Sequence, residues 1–150
     1  MNSMTNRLQD LNSVQVGDKL PELVKRPTAL HLFRFSAVTW NAHRIHYEPE
    51  YARSEGHPDI LVQAHLHGSY LSQLVIDWAP ARARMTQMGW KNRRRAIPGD
   101  TLTSVGTVLS KHEESGRVVV RLEMKEMNQH GELCAEGQAT VEMANTKAGE

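Results

Sequence analysis

The chain is 150 residues long, enough for one domain to bury a core, and its 39% hydrophobic content fits a globular fold. Aromatic residues make up only 5%, so aliphatic and Met side chains must fill most of that core. A formal charge of +1 does not point to nucleic acid or a membrane surface, no apolar run is long enough to span a bilayer, and a single cysteine, Cys134, excludes an internal disulfide and suits a reducing compartment.

Residues 1–15 and Ala144 to Glu150 are polar and read as loosely held ends. Met1 to Asp10 lacks the apolar core of a secretory signal, so the expected setting is cytoplasmic. No linker, repeat or composition shift divides the rest, which gives a single domain over 1–150 with an ordered core over 16–143. Val16-Gly17-Asp18 and Pro21 mark a turn into the fold. Leu30 to Val38, with Leu30, Leu32, Phe33, Phe35 and Val38 in partial alternation, predicts a strand. Asn41 to Gly56 is a polar, His-rich loop in which Pro49 starts a short helical turn and Gly56 ends it. Ile60 to Trp78 is apolar on most sides at helical spacing, which predicts a helix buried on most sides, and Pro80 forbids its continuation.

From Gly89 the period changes. Trp90 to Ile97 predicts a strand with Arg93 and Arg95 on one face, followed by a Pro98-Gly99-Asp100 turn. Thr101 to Ser110, Arg117 to Met127 and Glu132 to Met143 predict three more strands. Turns at Glu113 to Gly116 and Asn128 to Gly131 separate them, and Val118, Val120, Leu122, Met124 and Met127 supply much apolar surface. A strand, a buried helix and then four consecutive strands predict an α+β fold in which an antiparallel sheet wraps one long central helix.

Two stretches carry a resemblance. Asn41-Ala42-His43-Arg44-Ile45-His46-Tyr47, followed by Pro49-Glu50-Tyr51-Ala52, resembles the hydratase motif of the MaoC-like family. That family contains (R)-specific enoyl-CoA hydratases and 3-hydroxyacyl-thioester dehydratases. Its usual pattern is Asp-x-Asn-Pro-(Ile/Leu)-His, then a short acidic stretch and an alanine. His46 matches the motif histidine, Ile45 the aliphatic position and Ala52 the alanine. Asn41 stands where the family has its aspartate, and His43-Arg44 replaces Asn-Pro. This form looks closer to the fungal and mitochondrial-type 3-hydroxyacyl-thioester dehydratases and the mesaconyl-CoA-type hydratases. Gln63-Ala64-His65-Leu66 is similar to the family's His-Gly-x-Leu at the start of its central helix. Trp90 to Arg95 and Ile97-Pro98-Gly99-Asp100-Thr101-Leu102 look like its arginine-bearing strand and following turn.

The resemblance covers roughly residues 16–143 and implies a hotdog fold that hydrates or dehydrates an acyl thioester without metal or redox cofactor. Coenzyme A or a carrier-protein arm would enter as part of the substrate. In such enzymes an Asp–His pair holds one water that supplies both hydroxyl and proton. Imidazole titrates near neutrality, so His46 is the candidate acid and base. An amide cannot take up a proton, so Asn41 is assigned to orienting water or substrate. The backbone N–H groups of Ala64 and His65 are the candidate oxyanion donors at a helix start, where the dipole favours negative charge. Gln63, Arg93 and Arg95 are candidate substrate-binding residues, the arginines for phosphate.

Other readings remain open. Asn41 without its aspartate also suits one half of a hetero-oligomeric hydratase, whereas a homodimer is the default because a lone sheet leaves an edge to cover. A hotdog thioesterase would need a carboxylate or polar base on the central helix, where Asp77 lies at the far end. His43 with His46, or His65 with His67, is poorly spaced to share a metal. Cys134 reads as a strand residue without a local base. The arginine run has no aromatic platform beside it for nucleic acid.

Overall fold

The computed structural model describes residue 8 and residues 10–145. Five strands form one antiparallel sheet: β1 (Leu23–Lys25), β2 (Arg84–Asn92), β3 (Leu102–Glu114), β4 (Arg117–Met127) and β5 (Leu133–Ala144), in the order β1-β3-β4-β5-β2. The last three strands follow the predicted period and turns. Ser115 and Gly116, both at positive φ, close the β3–β4 hairpin, where two consecutive left-handed residues match the twist of the strands. The side chain of Asn128 accepts the N–H groups of His130 and Glu132 and so shapes the β4–β5 turn.

Two shorter helices, α1 (Ala29–Thr39) and α2 (Pro49–Ser54), precede the long α3 (Ala64–Trp78). Leu71, Leu74, Val75 and Trp78 of α3 pack with Val108, Val118, Val120, Leu122, Met124, Ala139 and Val141 in the main core. The sheet curls around this helix, which is the expected hotdog arrangement. A second cluster joins Leu32 of α1, Ala52 of α2, Leu66 of α3 and Leu102 of β3, with Ile60, Val62, Ala96 and Cys134 between them.

Three expectations are corrected. Leu30 to Val38 is helical. The Thr28 hydroxyl accepts the His31 N–H, and His31 Nδ1 accepts the Thr28 N–H, a reciprocal cap that starts α1. Trp40 ends the helix in the left-handed region at φ 57°. The first strand is instead the short β1. The arginine-bearing strand runs earlier than expected, over Arg84–Asn92, because the Cys134 carbonyl takes both the Arg93 and Arg94 N–H groups and turns the chain out of the ladder. Residues 10–15 are held rather than loose: a 3-10 turn at Leu11–Ser13, capped by Asp10, sends Leu11 and Val14 into the main core. Residues 1–7, 9 and 146–150 lie outside the described residues.

Gly68 fixes how α3 meets β2. A Cβ there would collide with the indole of Trp90, whose Cα and Cβ in turn lie close to Gly137, its partner across the sheet. Overpacking of this kind costs about 1–3 kcal/mol, against about 1 kcal/mol gained from alanine's helix propensity. Gly68→Ala is therefore expected to lower unfolding free energy by up to about 2 kcal/mol in urea titration. Unchanged stability would show that Trp90 can leave its seat freely.

Candidate active site

The loop after α1 is organised by its own backbone. The Asn41 N–H donates to the Ser36 carbonyl at 2.9 Å, and the Asn41 side-chain oxygen accepts the His43 N–H at 3.2 Å. A 3-10 turn, Arg44–His46, follows, and the Tyr47 hydroxyl ties back to the Ala42 carbonyl at 2.8 Å. This geometry drives the His46 ring inward, leaving it 8% exposed.

His46 Nδ1 lies 2.8 Å from the Leu61 carbonyl, while the Leu61 N–H donates to the Ile45 carbonyl at 2.9 Å. A carbonyl only accepts, so Nδ1 carries the proton and Nε2 keeps its lone pair. Burial pushes the His46 pKa down. The Leu61 bond opposes that shift, and the neighbouring His43 adds to it. Neutral imidazole with a free Nε2 is the form a general base requires.

Leu61 lies three residues before Ala64, which puts the His46 contact within about 10 Å of the α3 start along the chain. Gln63 precedes α3 without capping it. Its amide instead donates to the Leu32 carbonyl at 2.7 Å and the Ser36 hydroxyl at 2.9 Å, pinning α1 to the head of α3. Among the described residues, its enclosed Oε1 has no hydrogen-bond partner. The N–H groups of Ala64 and His65 belong to the first turn, where no helical acceptor exists, and both residues are exposed. Trp90 braces that turn: its Nε1–H donates to the Ala64 carbonyl at 3.2 Å and its ring meets His65 edge-on at 5.8 Å. Ser36 thus links Asn41 to Gln63, and Leu61 links His46 to the same helix start.

The predicted arginines separate. Arg93 Nε donates to Glu136 at 2.7 Å on β5, so its charge is already offset. Arg94 lies 3.4 Å from Glu132. Arg95 lies 3.3 Å from His57 Nδ1, just beyond α2. A cleft of about 280 Å³, lined by Phe33, Ala37, Trp40 and Tyr47 with Ser36, Asn41 and Ala42, adjoins the His46 loop and is mostly apolar. Among the described residues no three His, Cys, Asp or Glu side chains come together as a metal cluster, and no helix is long and apolar enough to cross a membrane.

One buried group escaped the sequence reading. Glu126 of β4 hydrogen-bonds His67 of α3 through Nδ1, and Ser104 of β3 donates to its other oxygen at 3.3 Å. The signal was parity: Val118, Val120, Leu122 and Met124 face inward, and the next inward position is Glu126, not Met127. Burial first, then the Glu126 carboxylate, push the Tyr70 phenol up to about 12 and the Cys134 thiol up to about 11. Cys134 is therefore a protonated, unreactive thiol at neutral pH.

Comparison with known proteins adds the following. Residues 1–98 match the model of a family described as hydroxyacyl-thioester dehydratase type 2. Over 66 residues the chain is 41% identical to the mesaconyl-C(4)-CoA hydratase of Chloroflexus aurantiacus, which covers 43% of this chain and 22% of that protein. The match thus spans less than a quarter of that relative's length. The R-hydratase PhaJ1 of Pseudomonas aeruginosa superposes with a TM-score of 0.79 at 24% identity, covering 89% of this chain and 83% of that one. The ChsH1–ChsH2 complex of Mycobacterium tuberculosis gives a TM-score of 0.77 at 22% identity over 86% of this chain and 98% of the matched one. At these identities the solved structures share the fold.

Proposed function

This chain belongs to the hydroxyacyl-thioester dehydratase type 2 family, and we propose from that premise that it adds water reversibly across the α,β double bond of an enoyl thioester. The observation that carries this reading is His46: a buried, neutral ring with Nδ1–H on the Leu61 carbonyl and Nε2 free, close to an open helix start. In hydration Nε2 removes a proton from water as its oxygen bonds to the β-carbon. The π pair moves onto the thioester as an enolate, whose oxygen the Ala64 and His65 N–H groups hold. The imidazolium then returns a proton to the α-carbon. Dehydration runs the same steps backwards. The Asn41 amide N–H orients the water, because its oxygen already accepts from His43. No electrons change hands, so no redox group is required, and coenzyme A or a carrier arm enters with the substrate.

Asp77, the base a thioesterase reading needs, accepts from Gln73 at the opposite end of α3, about 20 Å from Ala64 by helical rise. A homodimer is the favoured assembly, since nine-residue β2 is paired with β5 on one side and, among the described residues, with no strand on the other. Asn41 in the aspartate position favours the second reading, a heterodimer with another hotdog chain. A cytoplasmic setting suits the single buried thiol.

The test is to give the purified chain a crotonyl- or longer enoyl-thioester and follow loss of the conjugated absorbance across pH. Because burial lowers the His46 pKa, the base is lost only below the ordinary value of 6.5, and kcat/KM is expected to fall on the acid side with a midpoint below it. Thiol release without hydration would replace this reading with hydrolysis. An acid limb centred above 6.5 would remove His46 from the role of base.

A further inference from the structure

We propose that the cavity between β1, α1 and α3 binds the phosphate of the substrate's carrier, a phosphate ester or diphosphate joined to the thioester through a pantetheine arm. This inference rests on the thioester reading above and relocates the phosphate site expected at Arg93 and Arg95.

The cavity measures about 400 Å³, within the range of ligand pockets and far larger than one ion needs. Lys25, Arg26 and Arg34 stand around it. None of the three has a carboxylate within ion-pair distance among the described residues, whereas Arg44, Arg93, Arg94, Arg117 and Lys125 all do. Three uncompensated cations held around one cavity repel one another unless an anion joins them. His31 adds a fourth donor: its Nδ1 accepts the Thr28 N–H in the α1 cap, which leaves the proton of the neutral ring on Nε2.

The remaining wall suits an arm rather than a bare ion. Phe35 and Val38 of α1 and Leu66 and Tyr70 of α3 line it, and Lys25 Nζ stands 5.8 Å from the Tyr70 ring centroid. Leu66 lies two residues beyond Ala64, so this wall starts in the turn whose N–H groups the proposed reaction assigns to the thioester. On its other side α1 lines the apolar cleft beside Asn41. On this proposal phosphate lies on one flank of α1, the acyl chain on the other and the thioester at the head of α3.

The test combines binding with kinetics on the whole chain. Coenzyme A without an acyl group is titrated into the wild-type protein and into a Lys25→Met/Arg34→Met variant. Arg34 is exposed and Lys25 half-buried, and neither side chain makes a hydrogen bond or ion pair among the described residues. Charge-assisted contacts of this kind set the expected loss of affinity at about ten- to a hundredfold. The preference for a coenzyme A thioester over the N-acetylcysteamine thioester, which lacks phosphate, should fall by a similar factor. A fall seen also with a 4′-phosphopantetheine thioester assigns the cavity to the arm's own phosphate. A fall confined to coenzyme A assigns it to the nucleotide end, and both support the proposal. Unchanged coenzyme A affinity overturns it, as does a loss that follows an acyl carboxylate on any carrier. An equal loss in Arg95→Met with none in the double variant also overturns it. If the wild type hydrates no thioester but coenzyme A binding still depends on Lys25 and Arg34, the reaction fails and the site stands. If hydration proceeds with no change in preference, the site fails and the reaction stands.

Discussion

His46→Ala is expected to lower kcat for hydration of an enoyl thioester by about 10²–10⁴-fold. The ring is the one group in the loop whose free nitrogen is basic and whose other nitrogen is locked by a carbonyl. Alanine also deletes the Leu61 bond, so a fall in activity alone would not separate chemistry from a loosened loop. His46→Asn resolves this. An asparagine amide can donate to the Leu61 carbonyl much as Nδ1–H does, but it offers no base. The asparagine variant should unfold close to the wild-type denaturant midpoint and still lose activity on the same scale. A folded His46→Asn protein within tenfold of wild-type turnover would remove His46 from the chemistry.

The second large effect falls on stability. Glu126→Ala should cost about 1–3 kcal/mol, the usual penalty for leaving a buried hydrogen-bonding group without its partner. Glu126 is 0% exposed and His67 only 2%, so neither can recover its lost partner from water. Ser104 would also lose the carboxylate that its hydroxyl meets. Replacing both members by leucine removes the orphan, and that double variant is expected to be more stable than either single one. Urea unfolding of the wild type, Glu126→Leu, His67→Leu and the double leucine variant measures the coupling. Single variants within 1 kcal/mol of wild type would mean that the pair carries no weight in the core.

The comparison of sequence with structure turns on where apolar residues go. The helix expected in Ile60 to Trp78 was readable from Ala64 to Trp78, because a helix apolar on most sides has few alternatives and Pro80 marks its end. Residues 60–63 are not helical, and the Leu61 and Val62 N–H groups there donate to the Ile45 and Ala96 carbonyls. β3, β4 and β5 were readable because period two and glycine-bearing turns agree. α1 was not, because Leu30, Phe33 and Val38 stay exposed while Leu32 and Ser36 are buried. Exposed apolar side chains mimicked a strand's alternation, and the cap uses His31 where a capping box usually has Glu or Gln. The arginine strand was misplaced because β2 is an edge whose positions are mostly exposed, so its alternation is weak. In the site, the motif marked His46 and the helix start. It could not reveal that Leu61 chooses the tautomer, that Gln63 pins α1, or that Arg93 is neutralised by a residue 43 positions away.

The most direct measurement is a crystal structure of the chain with an unreactive 3-hydroxyacyl thioester. The account expects His46 Nε2 about 2.6–3.2 Å from the 3-hydroxyl, with the thioester oxygen at similar distance from an N–H of Ala64 or His65. A ligand seated with its carbonyl away from that helix start, or with its hydroxyl out of reach of Nε2, would contradict it.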